Sequence, residues 1–309
     1  MHLVTGGAGF IGSHIVDELV RQGRKVRVLD NFYAGKIENL NGVIKKIELI
    51  KGDIRDKKAV KRAVKGIKYI IHEAALRSVP ISMDNPEEFN AVNIDGTLNL
   101  LVAARGQKVK RFIFASSSSI YGDTDKFPEK ESFVPEPVSP YAATKLMGEI
   151  YCRIFWETYK MPTIALRYFN VFGPRQSLEN KYAVVVPKFV TCLLKNQPPP
   201  IHGNGKQTRD FTYISNVVNA NLISLDAKTA AFGKMFNIAN GCAYSVLDLV
   251  RLLNKIMGKN IKPVFTPLRP GDVMHTCADI NLARKYLGFN PGVSLEEGLR
   301  KTVEYFRNK

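Results

Sequence analysis

The 309-residue chain is poor in the groups that build metal centres and covalent staples. Its four cysteines, Cys152, Cys192, Cys242 and Cys277, are scattered, with no CxxC spacing and no Cys/His cluster. Neither a zinc site nor a disulfide framework is expected, and buried thiols are the default. Acidic residues are in short supply: 28 Asp and Glu stand against 45 Lys and Arg, a formal charge of +17. That excess invites a nucleic-acid reading, but the basic residues are scattered and no helix-turn-helix, zinc-finger or RNA-binding signature accompanies them. A Lys-rich solvated surface is expected instead, with no nucleic-acid partner. Its positive field would draw in an anionic small substrate. Long apolar runs are also missing, since none approaches the ~20 residues that span a bilayer. Met1 leads almost directly into "HLVTGG" with no leader pattern, so a cytoplasmic protein without a membrane partner is expected.

What is present is an ordinary globular balance, 45% hydrophobic and 24% charged, enough to bury a sizeable core. Short β-branched runs alternate with helical patterns through the first two thirds: "HLVTG", "IVDELVRQG", "KVRVLD", "IELIKGD", "KKAVKRAVKG", "IKYIIHEAA", "NAVNIDGTLNLLVAARGQ", "RFIFASS". Strands separated by helices of this length predict βαβ crossovers, hence an α/β fold with a doubly wound parallel sheet. After "TIALRYFNVFG" the alternation loosens. The expected division is residues 1–170 for the sheet domain and 171–309 for a smaller C-terminal substrate-binding lobe, some of whose elements return to the main sheet.

"VTGGAGFIGSH" follows the first strand and opens the first helix. Gly6, Gly9 and Gly12 there permit a tight turn, close approach of backbone N–H groups to a pyrophosphate, and close helix-on-strand packing. An ordinary glycine-rich loop is the bland alternative, and the strand-to-helix context argues against it. Asp30 ends the second strand, eighteen residues beyond Gly12. A carboxylate there accepts from a ribose diol and repels a 2′-phosphate, which favours NAD over NADP in a Rossmann-type domain. Asp53 in "KGDIRD" is placed to meet an adenine amino group, although an N-cap by Asp53 or Asp56 is equally natural.

"SPYAATKLMGE" sets Tyr141 and Lys145 one helical turn apart. Together with TGGxGxxG, "HEAA", Asn93 and "SSSSIYG", the pair resembles the extended short-chain dehydrogenase/reductases. That resemblance implies Ser117, Tyr141 and Lys145 as the catalytic set, with Ser119 a near neighbour that shares the proton shuttle. A phenol's ordinary pKa is about 10, and lowering it by roughly three units takes about 4 kcal/mol, which charges on Lys145 and a nicotinamide would supply. Lys145 would also hold the nicotinamide ribose. At the cofactor the resemblance further implies Phe10, Ile11, Asn31, Gly35 and Ile54, then Ala74, Ala75, Arg77 and Phe169. Asn93 is implied there too, or else anchors a buried helix, and the two roles are compatible. His72 reads as a structural histidine at a strand end.

"RYFNVFGPRQ", "VVVPKFV", "IHGNGKQTRDFTYI" and "RPGDVMHTCADI" resemble the nucleotide-sugar branch over nearly the whole chain. The resemblance implies that Asn170, Arg209 and Arg269 bind a substrate diphosphate, that Asp272 meets the nucleotide ribose, and that Ser78, Val185 and Lys188 line the same pocket. Two guanidinium forks suit a pyrophosphate. The 4,6-dehydratases of that branch carry an Asp-Glu pair where this chain has Ser118 and Ser119, and the decarboxylases carry a glutamate before "VYG". Neither acid is present. The bare Ser/Tyr/Lys set resembles the UDP-sugar 4-epimerases, which work through a 4-keto sugar. Thr276 aligns where epimerases restricted to UDP-glucose and UDP-galactose often carry tyrosine, so acceptance of UDP-GlcNAc and UDP-GalNAc is expected, with the glucose pair in addition. The alternatives are a UDP-glucuronate 4-epimerase, with Arg175 or Arg77 on the sugar carboxylate, and a non-catalytic NAD or nucleotide-sugar sensor. The resemblance also implies a homodimer paired through the helices of "NAVNIDGTLNLLVAARGQ" and "YAATKLMGEIYCRIFWETY".

Overall fold

A computed structural model describes residues 1–177, 185–267 and 273–308. In chain order the elements are β1 (His2–Thr5), α1 (Phe10–Arg21), β2 (Val26–Asp30), β3 (Ile47–Lys51), α2 (Lys57–Val64), β4 (Tyr69–His72), α3 (Val79–Asp84) and α4 (Pro86–Asn90). One π-helical turn (Ala91–Asp95) joins α4 to α5 (Gly96–Gly106), followed by β5 (Arg111–Ser117), α6 (Pro140–Tyr159), β6 (Thr163–Tyr168), β7 (Val171–Phe172) and α7 (Val185–Leu194). Then come β8 (Pro200–His202), β9 (Thr208–Arg209), β10 (Thr212–Tyr213), α8 (Ile214–Leu225), β11 (Lys234–Ile238), β12 (Tyr244–Ser245) and α9 (Val246–Met257). The chain ends with β13 (Val264–Thr266), α10 (Asn281–Leu287) and α11 (Leu295–Arg307).

Seven strands make one parallel sheet in the order β11-β6-β5-β4-β1-β2-β3. Every residue of β1, β5 and β6 is buried, as helices on both faces of a parallel sheet require. Strand order reverses between β1 and β4, which opens a crevice beyond their carboxyl ends. Register sets Thr5 against His72 and Ser117 against Tyr168. The residues just after β1, β4, β5 and β6 therefore meet at one rim.

Local chemistry explains the helices that reach this rim. In α6, Ser139 caps the N-terminus by accepting from the Ala142 N–H at 3.2 Å, and Pro140 occupies the first position, where a missing N–H costs nothing. The helix stops at Lys160, in the left-handed region at φ 52°. In α2, Ala59, Val60, Ala63 and Val64 are buried while its basic residues face out.

β11 lies in the sheet beside β6, and α8 packs on α1. The other elements of the second half are two- and three-residue strand pairs, β7 with β10, β9 with β12 and β8 with β13, alongside α7, α9 and α11, which pack on one another. No helix among the described residues is long and apolar enough to cross a membrane. The thiol expectation needs correction. Cys152 is buried, but Cys242 is exposed and Cys192 and Cys277 are only partly covered, because Cys242 follows the left-handed Gly241 turn that leaves the sheet.

Candidate active site

The glycine loop after β1 is shaped by contacts that leave no room for side chains. A Cβ on Gly12 would stand 2.2 Å from the Gly6 carbonyl oxygen, and one on Gly6, at φ +67°, would stand 2.7 Å from the Ala74 nitrogen. The loop is thus pressed against the segment that follows β4. A cleft opens there, lined by Gly6, Gly9, Phe10, Ile11 and Gly12 on one side and by Asp30, Asn31 and Gly35 on the next. Asp53, Ile54, Ala74, Ala75 and Arg77 complete the wall.

Asp30 is positioned by the backbone: its two carboxylate oxygens accept from Ala8 N–H at 2.9 Å and Phe32 N–H at 2.8 Å. Burial raises its pKa, against those two bonds. Asp53 accepts from Arg55 and from Asn31 Nδ2 at 2.9 Å, and the Arg55 contact, foremost, holds its pKa down at about 2. Asp56, not Asp53, caps α2. Arg55, which the sequence did not single out, also lines this cleft.

Tyr141 sits in the first turn of α6 and Lys145 one turn on, as their spacing predicted. The Lys145 ammonium is buried, donates to the Ala115 carbonyl at 2.8 Å and lies 5.9 Å from the centre of the Tyr141 ring. Ser117 ends β5. Its hydroxyl donates to that of Ser119 at 3.0 Å and bears on the Tyr141 phenol. The electrostatics differ from the expectation. Burial raises the phenol's pKa and Glu73 adds to the rise, while Ser117 and the Arg77 guanidinium oppose it. The Lys145 ammonium is engaged by the Ala115 carbonyl and interacts with Glu73.

Asn93 braces this arrangement. Its side chain exchanges both bonds with the Leu76 backbone, at 2.8 and 3.0 Å, and donates to Thr144 Oγ1 on α6 at 3.0 Å. It tethers the cleft wall to the helix carrying Tyr141, and the π-helical turn around it supplies the offset that aims it. His72 lies between Thr5 and Thr97, at 2.7 and 2.9 Å, and burial keeps it neutral, its pKa lowered to about 3. Phe169 is fully buried, 6.1 Å from the Tyr121 ring, so its side chain faces the core and not the cleft.

Behind the helix, Glu149 pairs with Arg167 at 2.7 Å, both almost wholly buried, and Arg167 also donates to the Tyr121 hydroxyl. Gly148 lets α6 press on β5, since a Cβ there would stand 2.2 Å from the Phe114 ring.

On the far side of the rim, Asn170 adopts a left-handed backbone, φ 34°, and donates to Thr276 Oγ1 at 3.1 Å and to the Asp210 carbonyl at 3.3 Å. Thr276 is buried. Arg209 is tied to the Thr208 and Met274 carbonyls. Asp210 accepts from the N–H groups of Asn240, Gly241 and Ala278, and burial pushes its pKa up to about 6. Ser78, strained at φ 100°, caps α3. Val185 and Lys188 open α7 and are partly covered. Arg269 and Asp272 lie outside the described residues. No cluster of three metal-ligating side chains occurs among the described residues.

Sequence reasoning missed Glu73, Thr144 and Tyr168. Glu73 accepts from the Tyr168 hydroxyl at 2.7 Å and lines the cleft. Its only sequence signal was a charged residue at the end of an apolar strand, whereas Thr144 and Tyr168 gave none.

Residues 3–302 match the family model described as GDP-mannose 4,6 dehydratase. Among solved structures, the chain is similar to UDP-glucose 4-epimerase of Thermotoga maritima with UDP-glucose, 40% identical, TM-score 0.95, covering 99% of this chain and 98% of that one. It is similar to UDP-N-acetylglucosamine 4-epimerase of Methanobrevibacter ruminantium in complex with UDP-N-acetylmuramic acid, 40% identical, TM-score 0.94, with the same coverage. It is also similar to UDP-glucuronic acid 4-epimerase of Bacillus cereus in complex with UDP-glucuronic acid and NAD, 32% identical, TM-score 0.91, covering 99% of both chains. The chain belongs to the extended short-chain dehydrogenase/reductase family, in its nucleotide-sugar branch.

Proposed function

We propose that this chain, as an NAD-dependent member of that branch, is an isomerase that inverts C4 of a UDP-hexose, with UDP-GlcNAc and UDP-GalNAc favoured and UDP-glucose and UDP-galactose as a further pair. The observation that carries the reading is the meeting of Ser117, Tyr141 and Lys145 at the rim with serines, not carboxylates, at 118 and 119. That set suffices for oxidation and reduction, and its serine motif brings no acid–base pair for elimination.

The cleft fits a dinucleotide. Its glycine loop has no room for a Cβ at Gly6 or Gly12 and leads into the N-terminus of α1, where a diphosphate is favoured. Each Asp30 oxygen has one backbone donor, leaving lone pairs for a ribose diol. NAD, when bound, supplies the hydride acceptor and donor. Tyr141 takes the C4 hydroxyl proton and later returns it, Ser117 bridges hydroxyl and phenol, and Lys145 holds the phenolate's counter-charge. Asn170 and Arg209, with Arg269 and Asp272, hold the nucleotide. A firm grip on UDP and a loose one on the hexose let the sugar present either face. Thr276, buried beside Asn170, leaves space for an acetamido group.

Incubating the protein with UDP-GlcNAc, without added NAD, should produce the galacto epimer. Absence of turnover on this pair and on UDP-glucose would overturn the reading. UDP-glucuronate is the second candidate, because Arg77 faces the phenol and is available for a sugar carboxylate. Arg175 is less suited, being paired with Asp17 at 2.7 Å. We further propose a division near residue 170 and a homodimer through α5 and α6, where Val102, Ile154 and Tyr159 are 47, 40 and 47% exposed. Light scattering at twice the chain mass is the expected result.

A further inference from the structure

Glu73 is a buried carboxyl that bears on both Tyr141 and Lys145, and the epimerase reading gives it no task. It follows β4 directly, against the glycine loop, where the Gly6 Cβ position lies 3.0 Å from its carbonyl carbon. From β6 the Tyr168 hydroxyl donates to it at 2.7 Å, and that hydroxyl is itself steadied by Asn221 of α8, also at 2.7 Å. The register that sets His72 against Phe114 brings Glu73 beside Ala115, whose carbonyl takes the Lys145 ammonium at 2.8 Å, so its charge bears on that ammonium and on the Tyr141 phenol, as does that of Arg77 from the same loop on the phenol. The neighbouring His72 is neutral and occupied by two threonines.

We propose that Glu73 is a positioning residue whose carboxylate keeps the Lys145 ammonium charged and in place beside Tyr141. The inference deepens the epimerase reading and rests on it. A lysine buried with a backbone carbonyl as partner loses its proton readily, and without its charge it no longer favours the phenolate. A facing carboxylate offsets that loss. Burial lowers the Lys145 pKa and Glu73 opposes the fall, while burial raises the Glu73 pKa, opposed by Tyr168 and Lys145. Tyr168 and Asn221 hold the carboxylate where water does not screen it. The arrangement has a stability consequence. An acid whose folded pKa lies above its unfolded value binds more protons when folded, so stability falls as pH rises from the ordinary carboxyl range through the raised value.

Glu73→Gln keeps the size and the acceptor for Tyr168 but removes the charge. Its kcat profile should move to lower pH by about one unit on both limbs, roughly a tenfold loss on the alkaline side, with KM for the UDP-sugar within twofold of wild type. Tyr168→Phe should move the profile the same way by less, since its carboxylate is harder to form. In melting experiments on the cofactor-loaded protein, Glu73→Gln should gain stability relative to wild type as pH rises from 5 to 8. A carboxyl serving only as an anchor for Tyr168 would leave the limbs in place and make Glu73→Gln less stable at every pH. Either outcome overturns the proposal. The melting readout needs no turnover, so its failure is separable from failure of the epimerase reading, which would show as an inactive wild type.

Discussion

The two sides of the active-site rim are built by different means. On the cofactor side, positions are set by main chain: parallel strands end in register, the glycine loop packs against backbone, and Asp30 is fixed by two peptide N–H groups. On the sugar side, strands of two residues provide little register, and polar side chains do the holding. Asn170 reaches Asp210 and Thr276, Asp210 gathers N–H groups from two loops, Asn216 accepts from Gly292 and Val293, and Asn237 donates to Glu129 and Asp279. A backbone-built site tolerates few substitutions but is rigid. A site built from side chains can be retuned one residue at a time, and branch members with different sugars are expected to differ there.

The sharpest break in this comparison lies between the two sides, at Tyr141. Tyr141→Phe removes the proton acceptor without touching either architecture, so kcat should fall by about 10³-fold, within the span of lost acid–base catalysis. Unchanged turnover would take the phenol out of the chemistry, whereas a non-catalytic sensor would turn over in neither protein. Gly12→Ala tests the cofactor side alone: a Cβ 2.2 Å from the Gly6 carbonyl must spread the loop. The purified protein should lose most of its bound NAD, read by absorbance after denaturation. Substrate nucleotide binding, measured calorimetrically, should change little.

Much of the cofactor side was legible in the sequence because its signals are local. Gly6, Gly9, Gly12 and Asp30 occupy fixed offsets from strand ends, and those offsets are where the backbone needs no Cβ or a carboxylate. Tyr141 and Lys145 were legible for the same reason, through helical spacing. Their electrostatics were not, because the groups that set them come from two other segments, Glu73 and Arg77 from the loop after β4 and the Ala115 carbonyl from β5. Asn93 was legible as a residue and not as a brace, since its partners lie at positions 76 and 144. At Phe169 the alternation along the chain matters: Tyr168 and Asn170 on either side reach the rim, and the Phe169 ring is turned into the core.

On the sugar side, Asp210→Ala should give a moderate effect. Three backbone N–H groups lose their acceptor, and an unsatisfied buried donor costs about 1–3 kcal/mol. Water entering the space left by the carboxylate will recover part of that. Loss of about 3 kcal/mol is expected in urea unfolding, with KM raised more than kcat lowered, since the loops it joins border Asn170 and Thr276. Loss of kcat alone would instead tie Asp210 to the chemistry.

The smallest expected effect is a change of preference without loss of fold. Thr276→Tyr introduces a ring where a buried hydroxyl now bonds Asn170. On the proposed reading the ring then takes up the space that the sugar's C2 substituent would use. A hydroxyl at C2 still fits beside it, whereas a 2-acetamido group meets the ring face, and a steric mismatch of this size is worth about 10–200-fold in kcat/KM. The ratio of acetamido-sugar to glucose-sugar turnover should therefore drop by at least the lower end of that range, with Tm changed by only a few degrees. An unchanged ratio would move the seat of sugar choice away from the side-chain-built half and onto the backbone-built one.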